Sequence, residues 1–221
     1  MNREAIIFDL DGTLVDSAPD LCAALNAVMD QQNRPRVTLE AVRHMVGEGA
    51  RRLIEQGLSA SGPTPDAAEI ERHYPAFIDH YQANISANTT LFPAVRDVLE
   101  HLSENGATLA LCTNKPIGMT ERLLVDLSID HHFAAVLGGD SLPVRKPDPV
   151  HLLETVARIG ARSDRAVLVG DSPADIAAAR NAAIPVIAVS YGYSRIAPAE
   201  LGADILIDHF SELPAALKRL D

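Results

Sequence analysis

The stretch Ile6-Ile7-Phe8-Asp9-Leu10-Asp11-Gly12-Thr13-Leu14-Val15-Asp16 sets two carboxylates two residues apart directly behind an apolar run. A short continuous apolar run closed by a Gly-Thr turn reads as a buried strand of a parallel sheet. Asp9 and Asp11 then stand at its carboxyl end, where open α/β sheets bind their ligands. Side chains two apart along a strand point to the same face. Two carboxylates placed in this way repel each other unless a cation or a proton lies between them. The same residues also fit a strand that merely ends in an acidic turn, so the decision rests with the rest of the chain.

Outward from that stretch, Asp16-Ser17-Ala18-Pro19 reads as a helix start with a capping residue and an early proline, followed by Leu21, Ala24, Leu25, Val28 and Met29 at helical spacing. Helices are predicted over 38–45, 50–57 and 66–83, separated by Gly47-Glu48-Gly49 and by 59–65, with no strand-like alternation between Leu14 and Ile85. From Phe92 onward, helices over 94–105, 116–127, 147–159, 174–182 and 211–220 alternate with strands over 107–112, 133–137, 166–169, 186–189 and 205–207. Repeated βα units of this kind imply a Rossmann-like, doubly wound parallel sheet with helices on both faces. The first strand is cut off from that sheet by about seventy residues of helical pattern, too many for a loop. The expected organisation is therefore an α/β catalytic core of residues 1–14 and 85–221 with an inserted α-helical cap of residues 15–84, hinged near 14–16 and 85–93.

Composition narrows the classes of function. In 221 residues, 47% hydrophobic content is ample for a sizeable core. With 19 basic against 30 acidic residues the net charge is −11, and there is no basic stripe, so neither nucleic acid nor an anionic membrane is an expected partner. No apolar stretch approaches the roughly 20 residues that span a bilayer, and the amino terminus enters a strand rather than a signal peptide, so a cytoplasmic location is expected. Cys22 and Cys112 are the two cysteines, without a CxxC or Cys/His cluster, which supports neither a disulfide framework nor a zinc site. Aromatic residues make up 4% of the chain and tryptophan is absent, which removes the stacking platforms of single-strand binders.

Three further stations follow the first motif in order: Leu111-Cys112-Thr113-Asn114, then Arg145-Lys146-Pro147, then Gly170-Asp171-Ser172-Pro173-Ala174-Asp175. Together with Asp9-Leu10-Asp11-Gly12-Thr13 they resemble the haloacid dehalogenase superfamily, over most of the chain. The resemblance implies phosphoryl transfer with Asp9 as nucleophile and Asp11 as the acid/base that protonates the leaving alkoxide and then activates water. It implies Mg²⁺ as cofactor, held by Asp9, the backbone carbonyl of Asp11 and Asp171, with Asp175 within reach through water. Asp175 also fits the bare role of a helix-start acid complementing the dipole. Thr113 and Asn114 are expected to hold phosphate, and Lys146 to supply the fixed charge joining nucleophile and phosphate, in preference to the neighbouring Lys115.

Asp11 argues for phosphate chemistry, because dehalogenases of the superfamily lack that carboxylate. The segment 15–84 contains no lysine, so the Schiff base of a phosphonate-cleaving relative has no donor there. No GxxxxGK[ST] motif occurs, which excludes a P-loop nucleotidase. Substrate choice is assigned to the cap, where Arg43-His44-Met45-Val46-Gly47-Glu48-Gly49-Ala50-Arg51-Arg52-Leu53 resembles the specificity loop of phosphoglycolate phosphatases, as do Ser17-Ala18-Pro19-Asp20-Leu21 and Val189-Ser190-Tyr191-Gly192-Tyr193. Gly47, Gly49 and Arg51 are the expected substrate-binding residues there, with Arg43 and Arg52 as further candidates for a substrate carboxylate. Phe92-Pro93-Ala94 departs from the Pro-Gly usual in those relatives and should alter the hinge backbone alone. The expected partner is a small phosphorylated metabolite, first of all 2-phosphoglycolate. The alternatives are a sugar-phosphate phosphatase, for example for N-acetylmuramic acid 6-phosphate, or a hexose-phosphate mutase. A phospho-accepting regulatory module fits less well, since receivers are shorter and carry their phosphorylated Asp on a later strand.

Overall fold

The computed structural model describes residues 4–220. The first strand, β1 (Ala5–Phe8), is buried along its whole length, as a strand with no solvent face must be. A two-residue strand, β2 (Val15–Asp16), leads into a run of helices, α1 (Ala18–Gln31), α2 (Leu39–Arg43), α3 (Ala50–Ser59) and α4 (Ala67–Ala83). After β3 (Thr90–Leu91) the chain alternates: α5 (Val95–Glu104), β4 (Thr108–Cys112), α6 (Ile117–Asp126), β5 (Phe133–Leu137), α7 (Pro149–Arg158), β6 (Ala166–Gly170), α8 (Pro173–Asn181), β7 (Val186–Val189), β8 (Ile205–Ile207) and α9 (Leu213–Arg219).

Six parallel strands form one sheet in the order β5-β4-β1-β6-β7-β8. Ile6 of β1 lies opposite Leu109 on one side and Val167 on the other. The strand order reverses across β1, so the crevice beyond the carboxyl ends of β1 and β6 is the topological switch point at which such sheets hold ligands. Alternate strand residues feed opposite layers. Ile6, Phe8, Leu111 and Val169 pack in one cluster with Leu99 and Leu102 of α5 and Leu213 and Leu217 of α9. Ile7, Ala110, Leu168 and Ala188 pack in the other with Leu152 and Val156 of α7 and Ile176 and Ala179 of α8. The first cluster runs on without a break through Leu14 and Val15 into Leu25 and Met29 of α1, Ile54 and Leu58 of α3 and Phe77 of α4.

The structure corrects the sequence reading at three points around the expected hinges. Val15–Asp16 is a strand: it pairs antiparallel with β3, Val15 opposite Leu91 and Asp16 opposite Thr90. Two residues are too few to show alternation, so no pattern betrays them. Just beyond, the buried Asp20 carboxylate accepts hydrogen bonds from the backbone N–H groups of Asn88 and Thr89, from Asn88 Nδ2 and from Thr89 Oγ1, at 2.8–3.0 Å. The two passages of the chain between helices and sheet are thereby tied to each other. Second, Ser17 does not cap α1 with its side chain; its hydroxyl donates instead to Asp11 Oδ1 at 2.6 Å. Third, Ala94, expected inside a helix, precedes it in the left-handed conformation at φ 66°, a position suited to glycine.

Candidate active site

β1 and β6 are neighbours, so the residues that follow them meet at the carboxyl edge of the sheet: the Asp9 N–H donates to the Val169 carbonyl at 2.9 Å. The carboxylates of Asp9, Asp171 and Asp175 converge there, with one oxygen of each within 4.8 Å of the others, and all three residues are buried. Asp171 is held in place by Thr13 Oγ1, which donates to Oδ1 at 2.9 Å, and by the Tyr193 N–H, which donates to Oδ2 at 2.7 Å. A Cβ on Gly192 would stand 2.2 Å from Asp171 Cβ, so this turn approaches the carboxylate more closely than any side chain allows. Asp175 sits in the first turn of α8 in a reciprocal capping box with Ser172. Its Oδ2 accepts from Ser172 Oγ at 2.5 Å and from the Ser172 N–H at 3.0 Å. Its Oδ1 accepts from Lys146 Nζ at 2.6 Å. Asp175 thus caps the helix and belongs to the acidic cluster as well.

Lys146, 1% exposed, is the cation of this cluster, 2.6 Å from Asp175 Oδ1 and 2.9 Å from Asp9 Oδ1. Burial alone works against its ammonium group, but Asp175 and Asp9 outweigh burial and hold its pKa above the ordinary value. One lysine does not balance three carboxylates. Burial therefore pushes Asp9 up to about 6, against the pull of Lys146. Burial, and then the charges of Asp175 and Asp9, push Asp171 well above the carboxylate range. Asp9 Oδ1 lies within ion-pair distance of Lys146 but has no hydrogen bond. Three buried carboxylates against one ammonium group leave excess negative charge on hard oxygen donors, which fits a divalent cation of the Mg²⁺ type.

Asp11 turns to a second set of partners. Besides Ser17 Oγ, its carboxylate accepts from Lys115 Nζ at 3.1 and 3.2 Å. The same Nζ donates to Tyr81 Oη of α4 and lies 4.5 Å from that ring's centroid, a cation over an aromatic face. At the end of β4, Thr113 Oγ1 accepts from the Lys115 N–H at 3.3 Å. Asn114 Nδ2 donates to the carbonyls of Gly47 at 3.2 Å and Lys146 at 3.0 Å, and Asn114 Oδ1 is buried without a partner. Asp9, Asp11, Thr113, Asn114 and Lys115 line one cavity, partly open to solvent, together with Gly47, Gly49, Leu53, Phe77 and Tyr81.

Residues 6–189 match the model of the haloacid dehalogenase-like hydrolases. The chain belongs to this family. The hydrolase is 43% identical over 216 residues to the phosphoglycolate phosphatase of Caulobacter vibrioides, covering 98% of this chain and 91% of the relative. It is 41% identical over 211 residues to that of Agrobacterium fabrum, covering 96% and 91% respectively. Its fold superposes on the crystal structure of a predicted phosphoglycolate phosphatase from Haemophilus somnus with a TM-score of 0.91 at 32% identity, over 98% of this chain and 99% of the other.

The site of the hydrolase thus gathers Asp9, Asp11, Thr113, Asn114, Lys146, Asp171 and Asp175 at one edge of the sheet, with Gly47 and Gly49 across the cavity. The arginines do not join them. Arg51 bonds Glu71 at 2.5 Å and lies over the Tyr74 ring at 3.9 Å. Arg52 bonds Glu55 at 2.7 Å, Arg43 bonds Asp16 at 2.7 Å, and none of the three lines the cavity. Arg51, the expected substrate contact, is placed outside this cavity and paired with Glu71 of the next helix. Sequence reasoning passed over Lys115 and Tyr81, which do line the cavity. The signal for Lys115 was its place beside Asn114; nothing local marked Tyr81, which reaches the site because α4 packs against α1 and α3.

Proposed function

We propose that this hydrolase is a Mg²⁺-dependent phosphatase that cleaves 2-phosphoglycolate to glycolate and phosphate through an aspartyl-phosphate on Asp9. The observation that carries the reading is the buried pairing of Asp9 with Lys146 beside Asp171 and Asp175. The names of the relatives point to the same substrate.

An Asp9 oxygen attacks phosphorus and the bond from phosphorus to the ester oxygen breaks. Asp11 gives its proton to the departing alkoxide, then takes one from the water that splits the acyl phosphate. Lys146 keeps Asp9 aimed and ionised, since its charge opposes the burial that would protonate it. Thr113 Oγ1 and the Asn114 amide donate to phosphate oxygens. Asp9, the Asp11 carbonyl, Asp171 and Asp175 would hold the Mg²⁺, which neutralises phosphate charge. Residues 15–84 act as a cap over the core formed by 1–14 and 85–221, with Gly47 and Gly49 lining the side opposite the nucleophile. Among the described residues no helix is long and apolar enough to cross a membrane, and the net charge of −11 disfavours nucleic acid, in keeping with a cytoplasmic enzyme for a small metabolite.

The test is phosphate release with Mg²⁺ from 2-phosphoglycolate, hexose phosphates, amino-sugar 6-phosphates and nucleoside monophosphates. A dominant kcat/KM for 2-phosphoglycolate is expected, together with loss of turnover in Asp9→Asn. A preference for any other member refutes the substrate, and steady-state turnover by the variant refutes the nucleophile.

A further inference from the structure

Among the described residues lining this cavity, Lys115 is the one cation. The chemistry proposed above makes no use of it. Its side chain is 3% exposed, and a lysine so buried needs a fixed counter-charge. It has one in Asp11, at 3.1 and 3.2 Å, which holds its pKa above the ordinary value against the effect of burial. Its remaining visible partner is the Tyr81 hydroxyl. Leu53, Phe77 and Met119 make the neighbouring wall apolar.

We infer that Lys115, with the Tyr81 hydroxyl beside it, is the receptor for a second anionic group of the substrate, a carboxylate one carbon away from the phosphate ester oxygen. The inference rests on the proposed phosphatase reading and adds the element that selects the substrate. An ammonium group carries three donors and no acceptors, so it turns from the Asp11 carboxylate to another carboxylate without any uncompensated charge being left on Lys115. A hydroxyl or a methyl group at the same place offers nothing that competes with Asp11. The arginines that sequence alone favoured for this task are neutralised by Asp16, Glu71 and Glu55 outside the cavity.

The experiment compares kcat/KM for 2-phosphoglycolate and for ethyl phosphate, which keeps the carbon chain and carries a methyl group in place of the carboxylate. In the wild-type enzyme, 2-phosphoglycolate is favoured by about 100-fold or more, the discrimination expected when a charged partner is left without its mate. In Lys115→Met that ratio collapses to below about 10-fold. Tyr81→Phe keeps the ring and the fold and lowers the ratio by a few-fold, so the inference stays open to refutation if Lys115→Met does not fold. Equal losses on both substrates in Lys115→Met would overturn it by making Lys115 a support for Asp11 alone. An unchanged ratio in both variants would overturn it as well. Failure of the substrate reading shows separately, as absence of any preference for 2-phosphoglycolate in the wild-type enzyme.

Discussion

Replacing Asp20 by alanine tests whether the two passages between helices and sheet are joined as described. The carboxylate is 1% exposed and takes four donors from two consecutive residues, Asn88 and Thr89. Asn88 is exposed and its donors recover water in the variant. Thr89 is 4% exposed, and its N–H and hydroxyl lose their acceptor without replacement. At about 1.5–3 kcal/mol for each hydrogen bond to a charged group, two stranded donors cost about 3–6 kcal/mol. Relief of the buried carboxylate's own desolvation returns part of this, leaving a net loss of about 3 kcal/mol. With a urea m-value of about 2–3 kcal/mol/M for a chain of this size, the midpoint falls by roughly 1 M. Far-ultraviolet circular dichroism in urea reads the shift. Asp20→Asn keeps the shape but sets an amide donor against the Asn88 and Thr89 donors, so it also destabilises. A loss below about 1 kcal/mol in Asp20→Ala, or an Asp20→Asn protein as stable as the wild type, refutes the reasoning.

Ala94→Gly relieves a left-handed residue at φ 66° and raises stability by about 0.5–1 kcal/mol, seen as a melting temperature higher by about 2–3 °C. Gly192→Ala puts a methyl group 2.2 Å from Asp171 Cβ; phosphate release and affinity for Mg²⁺ in a calorimetric titration should both fall, and a variant that titrates like the wild type would show that the turn yields. His151, buried in α7, has Nδ1 facing the Lys146 N–H and Nε2 facing the Gly138 carbonyl, and burial, then the charge of Lys146, lower its pKa from 6.5 to about 4. The unfolded chain binds that proton first, so this contribution is complete above pH 6.5 and fades as pH falls toward 4, by at most about 3 kcal/mol. Urea midpoints at pH 7 and pH 4.5 should therefore differ more in the wild type than in His151→Gln, and equal differences would exclude His151 as the source.

The sites legible in the chain are those attached to strand ends. Asp9, Thr113, Asn114 and Asp171 each follow an apolar run, and once the runs are adjacent strands of one sheet the residues behind them must meet. Lys146 was legible through its order among the motifs, although its partners Asp9 and Asp175 come from distant segments. The destinations of the arginines were not legible, because they depend on which helix face meets which. Arg51 is neutralised by Glu71, a residue of the next long helix, and no spacing within 43–53 reveals that. Ser17 resembled a helix cap because its type and position fit one; a carboxylate turned toward it from Asp11 claimed its hydroxyl. β2 and β3 escaped notice because two-residue strands owe their existence to each other.

The central place of β1 also governs how the protein is made. Residues 5–8 leave the ribosome well before their neighbours in the sheet, 108–111 and 166–169. At about 5–20 residues per second, completing the second neighbour takes roughly 10–30 seconds after residues 5–8 are made. The helices at 18–83 need mostly one another and have emerged well before then. A nascent chain interrupted between residues 10 and 165 consequently holds Asp9 but lacks Asp171 and Asp175, and it leaves one side of a fully apolar strand unpaired. The acidic cluster and the second neighbour of the central strand are thus completed together, by the same late strand.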